Sequence, residues 1–381
     1  MATKRISFLE IKKYLEKKGL TISKKKNNNV TRNQFDVLSR TLISSLIIIF
    51  FFIGTPILIK FNKKDISNST DVENNSDINF KKALKGDSLD KLKNVKDTKT
   101  ENEIVQKYLF QEVQQFEDLP SDTVRLSAST IEQLFKDTNY SLEDVRKNKL
   151  VKPVSLSLLP QEMKMIENTK KRKELFIQII LPLIIQENNT IKLDRKKLFQ
   201  ILNKSKNSKN EKRWLEKKFK QYGVANKDLS TLKIRMDEVP TSLAIAQAAK
   251  ETGWGTSRFA LEGNALFGQW TWSGEGIKPA EADDNSTHKV MKFKVLQASV
   301  KAYHRNLNTH SSYRSFRSAR AELRDEKKEL DGLALSEHLD LYAETGKKYV
   351  EILQQIIKQN KLTDFDDAKL LPSTIALESL I

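Results

Sequence analysis

Nineteen consecutive residues, Thr41 to Ile59, carry no charge and centre on Ile-Ile-Ile-Phe-Phe-Phe, with Arg40 before them and Lys60 after. As a helix rising 1.5 Å per residue, the run would reach about 28 Å, close to the ~30 Å of a bilayer's hydrocarbon core. It therefore predicts a single transmembrane helix rather than a buried globular one, with Pro56 near the exit end, where a kink is tolerated. A cleaved leader is a poor fit: the basic region ahead of the run is about 40 residues long, and no small-x-small site follows. Residues 1–40 hold 11 Lys and Arg against 3 Asp and Glu. Positive flanks stay in the cytoplasm, so the rest of the chain, from Lys60 onward, is expected on the far side.

The net charge is +18 over 381 residues. Residues 1–40 supply 8 of those charges, and the remaining +10 reads as spread over the rest. Such an excess favours anionic surfaces or polymers. Nucleic acid is not expected as a partner, because the charge is diffuse and the topology keeps the bulk of the chain out of the cytoplasm. There is no cysteine, which excludes disulfides, thiol chemistry and thiolate metal sites. The four histidines, His288, His304, His310 and His338, show no paired ligand spacing. No metal and no cofactor are predicted.

Residues 60–104 are rich in Lys, Asp, Asn and Ser and offer little to bury, so they read as a solvated linker with a root-mean-square span of ~35–40 Å. A helical and extended lead-in follows over 105–170, with a short helix at Ser129–Phe135 and extended chain at 150–160. A domain over 171–368 and a tail over 369–381 complete the plan. Within the domain, Leu175, Phe176, Ile179, Ile180, Leu183 and Ile184 recur at helical spacing, with Pro182 predicted to kink that helix over Arg172–Asn188. Separate helices are expected at 194–203 and 212–222. Pro240 and Thr241 open another, Leu243–Ala249 forms its body, and Gly253 offers a stop. Val290–Val295 alternates apolar and basic residues and reads as a strand. Helices return at 299–308, 319–323, 333–342 and 349–359.

The stretch Gln247-Ala-Ala-Lys-Glu-Thr-Gly-Trp-Gly255 sets a carboxylate, Glu251, at the end of an alanine-rich helix. By spacing alone Glu251 is either a solvated glutamate ahead of a glycine cap or an acid held at a cleft rim. Glycosidic cleavage needs a carboxylic acid that stays protonated, and a second group that supports the cationic sugar or activates water. Burial and a helix C-terminus both disfavour the charged carboxylate, as the first role requires. Trp254, Trp270 and Trp272, three of the four tryptophans, lie within 19 residues of one another, and flat aromatic faces stack on sugar rings. Glu275, Glu281, Asp283 and Asp284 are the candidates for the second group.

Ala248–Ser257 (AAKETGWGTS) and Asn264–Trp270 (NALFGQW) resemble the Bax-type branch of the bacterial family 73 glucosaminidases. Arg172–Glu187, Tyr303–Tyr313 (YHRNLNTHSSY) and Leu341–Tyr349 (LYAETGKKY) resemble that branch too, so the likeness runs from about residue 130 to 365. It implies an α+β, mostly α, lysozyme-like glucosaminidase domain with a small β lobe, here preceded by a single transmembrane helix. By motif it places Glu251 as general acid and Tyr342 as the family's site tyrosine; the family's second carboxylate is not fixed by a motif, and Glu281 is taken for it ahead of Asp283 and Asp284. Trp254, Asn264, Phe267, Gln269, Trp270, Trp272 and Tyr303 are then expected to contact substrate. Two departures stand out: Tyr-Ala-Glu-Thr at 342–345 replaces the family's Tyr-Ala-Thr-Asp, and Asn264-Ala-Leu-Phe-Gly268 has one residue more than Asn-Leu-Phe-Gly.

The expectation is a membrane-anchored endo-β-N-acetylglucosaminidase that cleaves peptidoglycan glycan strands after N-acetylglucosamine, with its catalytic domain in the periplasm and its N-terminus in the cytoplasm. The alternatives are a non-catalytic wall-binding or scaffold protein that keeps the cleft, and a lytic transglycosylase leaving anhydro-sugar ends.

Overall fold

The computed structural model describes residues 124–271, 276–278 and 289–372. The basic segment 1–40, the apolar run 41–59, the linker 60–104 and the first part of the lead-in lie outside the described residues. The chain divides into two units, 1–76 and 77–381, and every described residue belongs to the second. Among the described residues no helix is long and apolar enough to cross a membrane.

The described part is mostly helical. In chain order it runs α1 (Ala128–Asp137), α2 (Leu142–Asn148), β1 (Leu150–Val151), α3 (Thr169–Leu202), α4 (Lys209–Gln221), α5 (Leu229–Arg235), α6 (Thr241–Thr252), α7 (Arg258–Gly263), β2 (Trp270–Thr271), β3 (Gly276–Ile277), β4 (Lys289–Met291), α8 (Leu296–Thr309), α9 (Arg314–Asp325), α10 (Gly332–Ser336), α11 (Lys347–Gln359) and β5 (Lys369–Leu370). One-turn 3-10 helices at Gln161–Met165, Ser311–Tyr313, Asp340–Tyr342 and Leu362–Phe365 join them.

Helix α6 lies at the centre. Ten of its residues, from Thr241 to Ala249 and Thr252, are buried. Small alanines at 244, 246, 248 and 249 leave the room that this needs, letting α3, α11, α10 and the 362–365 turn approach its axis. Its entry, Pro240, has no side-chain cap of its own. Asp366 supplies the cap from 124 residues away, accepting from the Ser242 backbone N–H at 2.7 Å and the Ser242 hydroxyl at 2.8 Å. The exit is Gly253, at φ +57°, whose N–H returns to the Ala249 carbonyl. This is the left-handed stop that glycine takes without steric cost.

The two helices expected at 172–188 and 194–203 are a single helix of 34 residues, α3, with Pro182 inside it. Proline removes one N–H and leaves the carbonyl four residues back without its helical partner. That carbonyl belongs to Gln178, and the Tyr140 hydroxyl donates to it at 3.1 Å, while the Gln178 amide donates back to the Tyr140 carbonyl at 2.9 Å. The helix thus continues through the proline because the lead-in satisfies the freed group. The described lead-in is accordingly no separate region: Ile131, Phe135, Tyr140 and Val151 share one core with α3, α6, α8 and α11. Lys369 and Leu370, the first two residues of the expected tail, pair in parallel with Leu150 and Val151.

The β part is small. Strands β2 and β3 both pair antiparallel with β4, Trp270 and Ile277 each opposite Val290. The strand expected over 290–295 shortens to three residues because Phe293 turns away to bond the Gly263 carbonyl. Ala265, Val290, Met291, Phe293 and Val295 pack beneath this sheet against α8. The helix expected at 333–342 is broken into α10 and the turn at 340–342.

Candidate active site

The last turn of α6 carries Glu251 into a cluster of aromatic rings contributed by segments far apart in sequence. Burial raises its carboxyl above the ordinary carboxylate range, against a hydrogen bond from the Tyr349 hydroxyl and the charge of Lys250. On the facing side the chain turns at Gly268, with φ +62°; a Cβ placed there would lie 3.2 Å from Glu251 Oε2. Only glycine combines that backbone angle with such a close approach.

The hydrogen bond from Tyr349 has a direction, and the residues behind it impose that direction. Gln247 sits one turn before Glu251 on the same face of α6 and is fully buried. Its Nε2 donates to the Tyr349 oxygen at 3.1 Å, and its Oε1 accepts from the Tyr303 hydroxyl at 2.7 Å. With its oxygen already accepting from Gln247, the Tyr349 hydroxyl has its own proton for Glu251. Tyr303 is in turn locked by stacking on Phe267, centroids 3.9 Å apart and planes 9° from parallel.

Tyr342 lies flat on Tyr349, at 5.5 Å and 9°, and donates to the Phe267 carbonyl at 2.9 Å. Tyr313 completes the group 5.7 Å from Tyr342. Burial is the main cause that raises these phenols, pushing Tyr313 up to about 12, and the charge of Glu251 adds to it at Tyr313, Tyr342 and Tyr349. All are therefore neutral hydroxyls at ordinary pH.

Three residues expected to touch substrate are instead supports. Phe267 is 1% exposed, Tyr303 0% and Asn264 4%, and a side chain without surface cannot meet a sugar. Asn264 ends α7 in the left-handed conformation and donates to the Phe293 and Lys294 carbonyls. It thereby ties the 264–269 turn to the sheet. Trp254 adopts φ +63° between two glycines, which a bulky side chain rarely does. Its ring stands edge-on to Phe176 at 6.0 Å with the Lys173 ammonium 4.8 Å above it. The Gly-Trp-Gly turn is thus packed on α3. Gln269 is half-buried beside Gly268, and both polar atoms of its amide lack a hydrogen-bond partner among the described residues. Trp270 is placed by its backbone in β2. Trp272, Glu275, Glu281, Asp283 and Asp284 lie outside the described residues.

Gln247, Tyr313 and Tyr349 had no role in the sequence reading. Gln247 carried a usable signal, as the one uncharged polar residue in an apolar helix face, four positions before the acid. Tyr349 did not, because its position depends on how the turn at Gly346 aims α11. His304 is buried and its imidazole is lowered to about 4, chiefly by burial. Its two nitrogens face the Val300 carbonyl and Asn188 Oδ1, which makes it a clasp between α8 and α3. Among the described residues no three His, Asp or Glu side chains stand together in a way that would hold a metal ion.

A glucosaminidase family model, described as mannosyl-glycoprotein endo-beta-N-acetylglucosaminidase, matches residues 230–362, the segment that contributes Gln247, Glu251, Gly268, Tyr303, Tyr313, Tyr342 and Tyr349. The chain is also 33% identical over 199 residues to Protein bax of Escherichia coli (strain K12), covering 50% of this chain and 70% of that relative. No solved structure matches it significantly. The chain belongs to the Bax-type glucosaminidase-like family.

Proposed function

We propose that this chain is an endo-β-N-acetylglucosaminidase, that its substrate is the glycan of peptidoglycan, and that Glu251 is the general acid. The observation that carries the reading is the Glu251 carboxyl itself, raised by burial and held between Gly268 and one directed hydroxyl. A protonated carboxyl can give its proton to the glycosidic oxygen as the bond to the anomeric carbon breaks. The bond from Tyr349 strengthens as the carboxylate forms, because a hydrogen bond to a charged acceptor is about twice as strong as a neutral one. It therefore stabilises the state reached in proton transfer more than the starting acid. The cationic sugar is then met by a carboxylate of the 275–284 segment or by the substrate's own acetamido group. Tyr342 acts by position, bracing Tyr349 and the Phe267 carbonyl.

In this reading the domain is lysozyme-like with a small β lobe, residues 41–59 anchor it to the inner membrane, and the site works in the periplasm. Glu251→Gln keeps the shape and removes the proton. Incubated with purified peptidoglycan, this variant is expected to release no new reducing ends; full release would overturn the assignment. Mass spectrometry of the parent's products reads the chemistry: reducing N-acetylglucosamine ends support hydrolysis, whereas anhydro ends would make the chain a transglycosylase. Activity confined to the glycan of a mannosyl glycoprotein would correct the substrate.

A further inference from the structure

The positive charge of this chain is not spread out. Residues 192–235 hold 15 Lys and Arg against 4 Asp and Glu, a net +11. Together with the +8 of residues 1–40, that leaves −1 for all the other residues of a chain whose total is +18. The second segment is also a structural unit. The end of α3, all of α4 and α5, and their loops close around their own small core of Leu198, Ile201, Leu215, Phe219, Leu232 and Met236. Most of it precedes the segment matched by the glucosaminidase family model.

Its acids are already engaged. Asp194 pairs with Lys218, Glu211 with Lys204, and Glu216 with Lys227. On α4 this leaves Lys209, Lys212, Arg213, Lys217 and Lys220, all exposed, and none of them has a carboxylate partner among the described residues. They run along about 16 Å of helix. A helix that binds by entering a lipid interface needs an apolar face to insert. That face of α4, Leu215 and Phe219, is spent on the small core, and Trp214 is covered by Lys197 and Lys218 at 5.0 and 5.5 Å. What remains is a hydrated row of fixed positive charge, suited to a polyanion.

We infer that the outer face of α4 is a docking surface for a carboxylate-bearing polymer, and that the polymer is the same peptidoglycan whose glycan Glu251 is proposed to cut, its stem peptides supplying the carboxylates. This rests on the function proposed above for its choice of polymer. The surface and the site belong to different parts of the fold: α4 packs on its own small core, whereas Glu251 sits in the last turn of α6, ten residues and about 15 Å of helix beyond that helix's start. Two contacts on one strand act together, since the first raises the local concentration of the second.

The test uses the full chain and a charge-reversed form, Lys209→Glu, Lys212→Glu, Arg213→Glu and Lys217→Glu combined, with the four glutamines as a second form that removes charge without inverting it. Co-sedimentation with insoluble peptidoglycan is expected to weaken roughly tenfold or more on reversal and less with glutamine. For the parent it is expected to weaken with added salt and on amidating the polymer's carboxyls. Cleavage of a short uncharged N-acetylglucosamine oligomer is expected to be equal in all three. Unchanged sedimentation of the reversed form would overturn the inference, as would tighter binding of the parent to anionic vesicles or to RNA than to peptidoglycan. A parent that sediments through these lysines yet cuts no glycan would keep the docking surface and refute the catalytic reading. A parent that cuts, with sedimentation indifferent to charge, would do the reverse.

Discussion

Helix α6 meets a half-buried carboxyl at each end, and in both cases burial raises the acid above its ordinary value. At the N-terminal end Asp366, lifted to about 6, spends both oxygens on Ser242. It caps a helix whose own entry residue has no side-chain cap. Beside it lies a groove of about 630 Å³, lined in part by Lys149, Lys192, Glu238 and Arg324, yet both oxygens of the acid are already tied to Ser242. At the C-terminal end Glu251 has one named donor, Tyr349, and its Oε2 rests against a glycine. A raised carboxyl is therefore not a site by itself. The difference is whether its oxygens are consumed by the fold or held in place with capacity remaining.

Glu251→Gln bears hardest on that contrast. It is expected to lower glycan cleavage roughly 10²–10⁴-fold, the usual share of a general acid, while the thermal unfolding midpoint stays within a few degrees of the parent's. A large loss of stability would mean that Glu251, like Asp366, is consumed by the fold. Gly268→Ala comes next. The new methyl would stand 3.2 Å from Oε2 on a backbone at φ +62°, an angle costing a non-glycine residue ~1–2 kcal/mol. The carboxyl must give way by a few tenths of an ångström, so turnover is expected to fall roughly tenfold with less effect on substrate affinity. Turnover equal to the parent's would show that the turn does not position the acid.

Tyr349→Phe should act on pH rather than on rate alone. The hydroxyl bond lowers the Glu251 carboxyl, and burial raises it. Without the hydroxyl, burial acts with less opposition and the acid stays protonated to higher pH. The alkaline limb of kcat/KM should therefore move upward. A limb that moves downward, or stays in place while activity persists, would remove Tyr349 from the mechanism.

Much of the fold was legible along the chain, and the failures have local causes. The Leu-Ile periodicity of α3, the Pro-Thr entry to α6 and its glycine exit are all written within a few residues of where they act. That the carbonyl freed by Pro182 finds a partner was not legible, because the group that satisfies Gln178 is Tyr140, 38 residues earlier. The cap on α6 comes from 124 residues later. The site divides in the same way. Glu251 and Gly268 are marked by short motifs. Asn264, Phe267 and Tyr303 are marked as well, but a motif does not say whether a residue faces the ligand or holds the residue that does. Burial decides that, and here it turns all three inward.

The mildest test asks what the charge on Asp366 costs. An aspartate whose folded value is about 6 rather than the ordinary 3.8 binds more protons folded than unfolded between those limits. Stability from this group is greatest below pH ~4 and falls as pH rises toward 6, where the folded carboxyl ionises; beyond that it is flat. Asp366→Asn abolishes the titration and still caps, since an amide oxygen accepts from the Ser242 N–H and the amide nitrogen donates to its hydroxyl. Denaturant midpoints of the parent and variant, measured from pH 4 to 7, are expected to separate progressively in the variant's favour up to about pH 6 and then run parallel. Glycan cleavage per folded molecule is expected to be the same for both. Midpoints that run parallel throughout would mean that the carboxyl is solvated after all. A variant that folds but no longer cleaves would mean that the two ends of α6 are coupled, and that the N-terminal acid does more than cap.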